Sequence, residues 1–402
     1  MRSTSKTILL HEISKLNSKL DQWNPFSWYK QMREHNPVFY DAEQDVWNVF
    51  LYDHAKRVLF DHQLFSNKKE RSLIPVPRVN NRSNVNFCDP PEHRHRRALL
   101  AQAFTPRSLK EWEPRIQAIA DELVADMEGQ TTVDIVQQLA IPLPVIVIAK
   151  LLGVPSQDRE KIKAWSDILF YPYERETFGD IADQKARAMK EFQEYLYPIV
   201  QEKRKHPADD ILSDLTKGEQ LTDMEVVMSG IGLLGAGNET TTMLISNMFY
   251  SMLFDQPGIY QEMRADSTAI PKLVEEVLRY RFPVAIDRQV AQDTTVFGHK
   301  MKKGQIIIAW MGSANRDESQ FANAETFDIH RPNNQTHLTF GAGPHFCLGA
   351  PLARMEANIA LSTFVKRFAD IRPVEAFDVT EHLIQSATGQ SLKSLPICVE
   401  TA

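Results

Sequence analysis

Residues 337–361 read HLTFGAGPHFCLGAPLARMEANIAL, with Cys347 two residues after His345 and just ahead of an amphipathic run that opens on Pro351. A thiol in that setting can be an inert core group, a nucleophile paired with His345, or a metal ligand. Gly341, Gly343 and Gly349 free the backbone for a tight loop, and Pro351 suits the first turn of a helix. A cysteine just before a helix start faces unpaired N–H groups and the positive end of the dipole, and both favour the thiolate. Zinc would need further ligands at short spacing, and only His345 is near. A protease-like nucleophile would bring a local signature that is missing.

The chemistry that remains is thiolate ligation of a haem iron, because the porphyrin supplies the in-plane ligands itself. The ten residues FGAGPHFCLG, Phe340 to Gly349, resemble the haem-binding loop of the cytochrome P450 monooxygenases, with Phe340, Gly341, Gly343, His345, Cys347 and Gly349 at the family's spacing. Three more stretches resemble the family in the right order. GAGNETTT, 235–242, is similar to its oxygen-activation segment, which implies Ala236 and Gly237 over the haem and Glu239 with Thr240 as a catalytic acid–alcohol pair. EEVLR, 275–279, is similar to its Glu-x-x-Arg motif, carried by Glu276 and Arg279. FDIHR, 327–331, supplies Arg331 as third member of that ion-pair network, for which a structural role is expected.

A haem brings two propionates, and buried carboxylates need cationic or hydrogen-bonding partners. The candidates are His93 and Arg97 in DPPEHRHRR, four apart and so on one helical face, with Arg288 and His345. The resemblance implies haem b (iron protoporphyrin IX) against Phe340, Cys347 as axial iron ligand, O2 as co-substrate and an apolar small molecule as substrate. A steroid-like compound, a fatty acid or a terpenoid is expected, with Ala236, Val284, Ala285 and Leu392 at the pocket floor and walls, and access loops at 67–87 and 167–180. No flavin or nicotinamide fingerprint is present, since GIGLLGAG lies inside a helical pattern. The resemblance therefore implies a separate ferredoxin or flavodoxin with its reductase, for which Arg94, Arg96, Lys110 and Arg354 are candidate contacts. The rival class is a non-oxygenating haem-thiolate protein: an isomerase, a peroxygenase or a haem sensor.

The elements that must position these residues are mostly helical. Apolar periodicity predicts helices over 108–128, 134–152, 157–170, 180–205, 223–254, 258–264, 269–281 and 351–368, with strands within 37–51, 295–310 and 395–400. That is a mainly α chain with small β-sheets on one side, the cytochrome P450 fold by resemblance. The long central helix starts on a capping box, Thr222 with Glu225. Gly230, Gly232, Gly235 and Gly237 inside it predict close approach of a flat ligand or a local opening of the hydrogen-bond ladder.

With 402 residues, 43% hydrophobic and 24% charged, the chain has ordinary globular composition, and without repeat or linker it is expected to form one domain, 1–402, without a fused reductase. A net charge of -6 argues against a nucleic-acid partner. The three cysteines lie far apart, which suits a reducing compartment rather than a disulfide framework. The apolar run from Val226 to Phe254 carries Glu239 at its centre, where a membrane span would not tolerate an acid cheaply. A cytoplasmic monomer without a membrane anchor is expected.

Overall fold

The computed structural model describes residues 8–69, 71–73, 85–171, 178–217, 220–282, 285–386 and 389–402. Its axis is the central helix Asp223–Tyr250. The Thr222 side chain accepts from the Glu225 N–H at 3.3 Å while the Glu225 carboxylate accepts from the Thr222 N–H at 3.0 Å, so the capping box closes as expected. The helix ends in a wider turn, Ser251–Asp255. Every residue from Thr241 to Leu253 is buried, because helices pack on all its sides: Pro142–Leu152, Arg159–Phe170, Phe178–Lys205, Ile270–Tyr280 and the cysteine helix Ala350–Arg367. A helix enclosed in this way needs no polar face, which is why its sequence looks like a membrane span. No described helix is long and apolar enough to cross a membrane.

Of the two expectations for the central-helix glycines, close approach of a flat ligand or a local opening, the opening is not observed: the chain stays helical through all four. One of these glycines allows close packing: a Cβ on Gly230 would lie 3.1 Å from Leu212, whereas one on Gly237 would make an ordinary contact with Ile148 at 3.4 Å. The helix predicted over 134–152 also divides. Thr132–Asp134 is a strand, Val136–Ala140 a wide helical turn, and the α-helix starts at Pro142, which has no N–H to continue the preceding ladder.

To one side lies a five-stranded sheet in the order Val38–Asp41, Val46–Val49, Ile306–Trp310, Ala285–Val290, Phe65–Ser66. Val46–Val49 and Ile306–Trp310 pair in parallel, with Trp47 opposite Ile307, and the other three pairs are antiparallel. Ile306–Trp310 is buried along its whole length and reads as a continuous apolar run for that reason. A three-stranded sheet joins Thr132–Asp134, Pro396–Thr401 and Phe368–Pro373. The observed architecture is the mainly α one with small sheets that the sequence implied.

Candidate active site

The cysteine loop is shaped by two glycines. Gly341 and Gly343 sit at φ +74° and +69°, a region that other L residues rarely adopt. Gly343 has a second reason to be glycine, because a Cβ there would stand 2.9 Å from the Cα of Phe60. The Cys347 N–H then donates to the Phe340 carbonyl at 2.8 Å, closing the loop immediately before the helix Ala350–Arg367. Gly349 has an ordinary negative φ, so no backbone strain requires glycine there; a Cβ on it would meet no atom within 4 Å.

Cys347 has exposed surface, but that surface opens on an interior cavity. Burial is the largest influence on its thiol and raises its pKa above the ordinary cysteine value. The Gly349 and Ala350 N–H groups and the charges of Arg97 and Arg354 oppose it without prevailing. The two N–H groups and the neighbouring cations act in the direction the helix start implied, toward the thiolate, and against the desolvation of the thiol.

The cavity holds about 1360 Å³ of atom-free space, part of it continuous with solvent. Ala236, Gly237 and Thr240 of the central helix line it together with Cys347, Phe340 and Arg97. At its edge the imidazoles of His93 and His345 lie with centroids 3.9 Å apart, tilted by 41°, and the Nε2 of each is buried without a hydrogen-bond partner. Burial, then the positive charges of His93, Arg288, Arg97 and Lys69, push His345 down to about 2. Arg288 is itself buried and lowered to about 10, chiefly by desolvation. Two orphaned ring nitrogens inside a cluster of cations fit an anionic partner, and the carboxylates of a haem are of that kind. The residues present therefore fit the cofactor.

Lys69 was not anticipated from sequence. It lies in a loop without periodicity, and only the strand Ala285–Val290 brings it 2.8 Å from the Asp287 carboxylate, next to Arg288.

The structure separates the expected acid from the expected alcohol. Thr240 lines the Cys347 cavity and donates its hydroxyl to the Ala236 carbonyl at 2.8 Å. Glu239 faces a second cavity, with Asn238, Thr242 and Leu392, and its charge acts on the buried Lys185, whose pKa falls to about 8 through burial. The two neighbours thus open on different cavities, Thr240 on that of Cys347 and Glu239 on the one beside Leu392.

Of the expected substrate positions, Ala236 alone of the described ones lines the cavity with Cys347. Ala285 is buried in the sheet opposite Trp310, and Leu392 belongs to the second cavity. Val284 lies outside the described residues, as do 70 and 74–84 of the first access loop and 172–177 of the second.

Glu276, Arg279 and Arg331 do come together. Both Glu276 oxygens accept from Arg279, at 2.7 and 2.9 Å, and the pair is fully buried. Arg279 also donates to the carbonyls of Asn315, Ala324 and Thr326, and Arg331 Nε stands 3.7 Å from Glu276. The residues ahead of the cysteine loop are thus tied to Ile270–Tyr280 by hydrogen bonds that satisfy a buried ion pair, the condition under which such a pair is tolerated.

Beside them, burial alone would raise the pKa of Glu275. Hydrogen bonds from Arg354 and His337 outweigh it and hold the carboxyl at about 2. This contribution is present above the ordinary glutamate value of 4.5 and is lost as pH falls toward about 2. The melting temperature of Glu275→Gln should accordingly lie below that of the parent at neutral pH and converge on it in acid. Curves that stay parallel down to that pH would contradict the assignment. Arg354 is consequently held by Glu275 rather than free on the surface, and Arg96 pairs with Glu92 and Glu225. Arg94 and Lys110 are exposed.

A family model described as Cytochrome P450 matches residues 6–371. Cytochrome P450(MEG) of Priestia megaterium is 49% identical over 98% of this chain and 98% of its own length. Cytochrome P450(BM-1), from a strain of the same species, is 48% identical over 98% and 99%. Among solved structures, CYP109E1 from Bacillus megaterium in complex with testosterone has a TM-score of 0.87 and 42% identity, covering 95% of this chain and 99% of that one. The same protein with corticosterone gives a TM-score of 0.84, with 94% and 99% covered.

Proposed function

Because the chain belongs to the cytochrome P450 family, we propose that it is a monooxygenase carrying haem b, which inserts oxygen from O2 into an apolar small molecule. The observation that carries this reading is the single cavity that sets the Cys347 thiol opposite Ala236, Gly237 and Thr240, with the two orphaned imidazoles at its edge. Cys347 would be the axial iron ligand, held by the Gly349 and Ala350 N–H groups. His93, Arg97, Arg288 and His345 would hold the propionates, and Phe340 would lie against the ring. A haem with a cysteine thiolate ligand supplies reductive activation of O2.

This chain's own residues manage space and protons. Ala236, exposed to the cavity, leaves room for a guest beside the central helix. The Thr240 hydroxyl can accept a hydrogen bond from water and donate one into the cavity once it releases the Ala236 carbonyl. Arg279, Glu276 and Arg331 hold the segment before the cysteine in place. A steroid-like substrate is favoured because CYP109E1, at 42% identity, has been crystallised with testosterone and with corticosterone. A fatty acid or terpenoid belongs to the same apolar class.

Electrons would come from a ferredoxin or flavodoxin with its reductase, Arg94 and Lys110 being exposed contacts for an acidic partner. The enzyme would work as a monomer in the cytoplasm, a compartment that suits its three free cysteines. Purified protein given NADPH and testosterone should form no product, and adding a ferredoxin and its reductase should start turnover. Turnover by the bare chain with NADPH would overturn the partner assignment. Titration with steroids, fatty acids and terpenoids, read by the Soret shift, should favour the steroids.

A further inference from the structure

Glu275 is 6% exposed, and its carboxylate gathers two side chains that border the cysteine loop. Arg354 donates to it through Nε and Nη2, and His337 Nε2 stands 3.2 Å from Oε2. The Thr339 N–H donates to His337 Nδ1 at 3.2 Å, so the ring proton lies on Nε2 and is given to the carboxylate. Burial lowers the His337 pKa, and the ring is neutral at neutral pH. The group thus carries one negative charge and one positive. Both partners of Glu275 also touch Phe340: the Arg354 guanidinium lies over its ring, 4.5 Å from the centroid, and the His337 ring lies 5.7 Å away, centre to centre. Phe340 in turn accepts the Cys347 N–H on its carbonyl and lines the cavity beside the thiol. The charge of Arg354 reaches that thiol, where it favours the anion.

The fold has separate ties at this place. Glu276, next in the chain, holds Arg279, and Thr339 donates its hydroxyl to the Leu278 carbonyl at 2.7 Å. The Arg354 side chain is 28% exposed against 8% for Glu275, so water can solvate the cation without help, and an apolar residue at 275 would fold at no greater cost. The acid is therefore explained best by what it does to the cation. We propose that Glu275 is a positioning residue for the haem-thiolate centre: it holds Arg354 over Phe340 with its charge balanced, and so sets the reduction potential of an iron bound by Cys347. The inference rests on the monooxygenase reading. Reduction adds one electron from the separate donor, and a cation close to the sulfur stabilises the added charge. With Glu275 ionised the cation is offset and the potential stays low. Without the carboxylate the cation is unopposed and reduction becomes easier, whereas removing Arg354 acts the other way.

The test is a spectroelectrochemical titration of the haem-loaded, substrate-free protein and of Glu275→Gln, Glu275→Asp, Arg354→Gln and the double variant. At one applied potential, Glu275→Gln should raise the ratio of reduced to oxidised protein by roughly threefold to tenfold, a range discounted for the exposure of Arg354. Glu275→Asp keeps a carboxylate and should return toward the parent. Arg354→Gln should lower the ratio, and in that background Glu275→Gln should move it much less, because the effect runs through Arg354. A purely structural pair would lower the melting temperature without this pattern of signs. An unmoved or lowered ratio in Glu275→Gln overturns the proposal, and so does an equal shift with and without Arg354. If Glu275→Gln takes up no haem, Arg354→Gln decides, and a ratio at or above the parental one overturns the proposal. The red-shifted carbon monoxide band should persist throughout. A parent lacking that band overturns the haem-thiolate reading and the proposal with it, a failure distinct from a parent that shows the band but whose variants leave the potential unmoved.

Discussion

Alanine at Cys347 is expected to reduce monooxygenation to background, while alanine at Cys88 or Cys398 leaves it near the parental rate. The three thiols differ in what they face. Cys88 is buried, donates to the Val85 carbonyl and has its pKa pushed up to about 11, chiefly by burial, so it is an inert core group. Cys398 stands in a strand opposite Arg372 and Thr132. Only Cys347 meets the cavity that Thr240 also lines. The fold itself should survive Cys347→Ala, because the side chain borders a cavity and its loss costs no more than about 1 kcal/mol of burial. Activity and Soret spectrum should therefore be lost while the circular dichroism and melting of the protein persist. Retained product formation by Cys347→Ala would show that another group binds the cofactor.

Thr240→Ala should separate NADPH consumption from product formation. The hydroxyl is the group at this point of the central helix that can accept from water and donate into the cavity, and a methyl group does neither. Without it, protons reach reduced oxygen in no controlled order and it leaves as hydrogen peroxide. Substrate binding should survive, since the change removes little apolar contact. The hydrogen bond to the Ala236 carbonyl is local, and losing it costs about 1 kcal/mol at most. Thr240→Ser should restore coupling in part. Product, hydrogen peroxide and NADPH measured in one reconstituted assay decide the matter, and unchanged coupling in Thr240→Ala would mean that water or Glu239 alone manages delivery without it.

The parts of the site that were legible in sequence are those governed by local geometry. The cysteine loop needs positive φ at two positions, and glycine is the residue that permits it, so Gly341 and Gly343 announce the loop directly. The capping box of the central helix is equally local. Adjacency misled where a helix was involved. Consecutive residues point about 100° apart around the axis, so Glu239 and Thr240, neighbours in the chain, open on different cavities. Lys69 was missed because its burial is decided by distant chain. Distant chain also decides the surroundings of two expected substrate positions, Ala285 lying in a core cluster with the sheet and Leu392 on the second cavity.

The central claim is that Cys347 holds a haem through its sulfur opposite the central helix. The most direct measurement is the difference spectrum of the reduced, haem-loaded protein with carbon monoxide. The account predicts the strongly red-shifted Soret band of thiolate ligation, present in the parent, in Cys88→Ala and in Cys398→Ala, and absent from Cys347→Ala. A parent spectrum with the unshifted band of a histidine-ligated or thiol-ligated haem, or a red-shifted band that persists in Cys347→Ala, would contradict it.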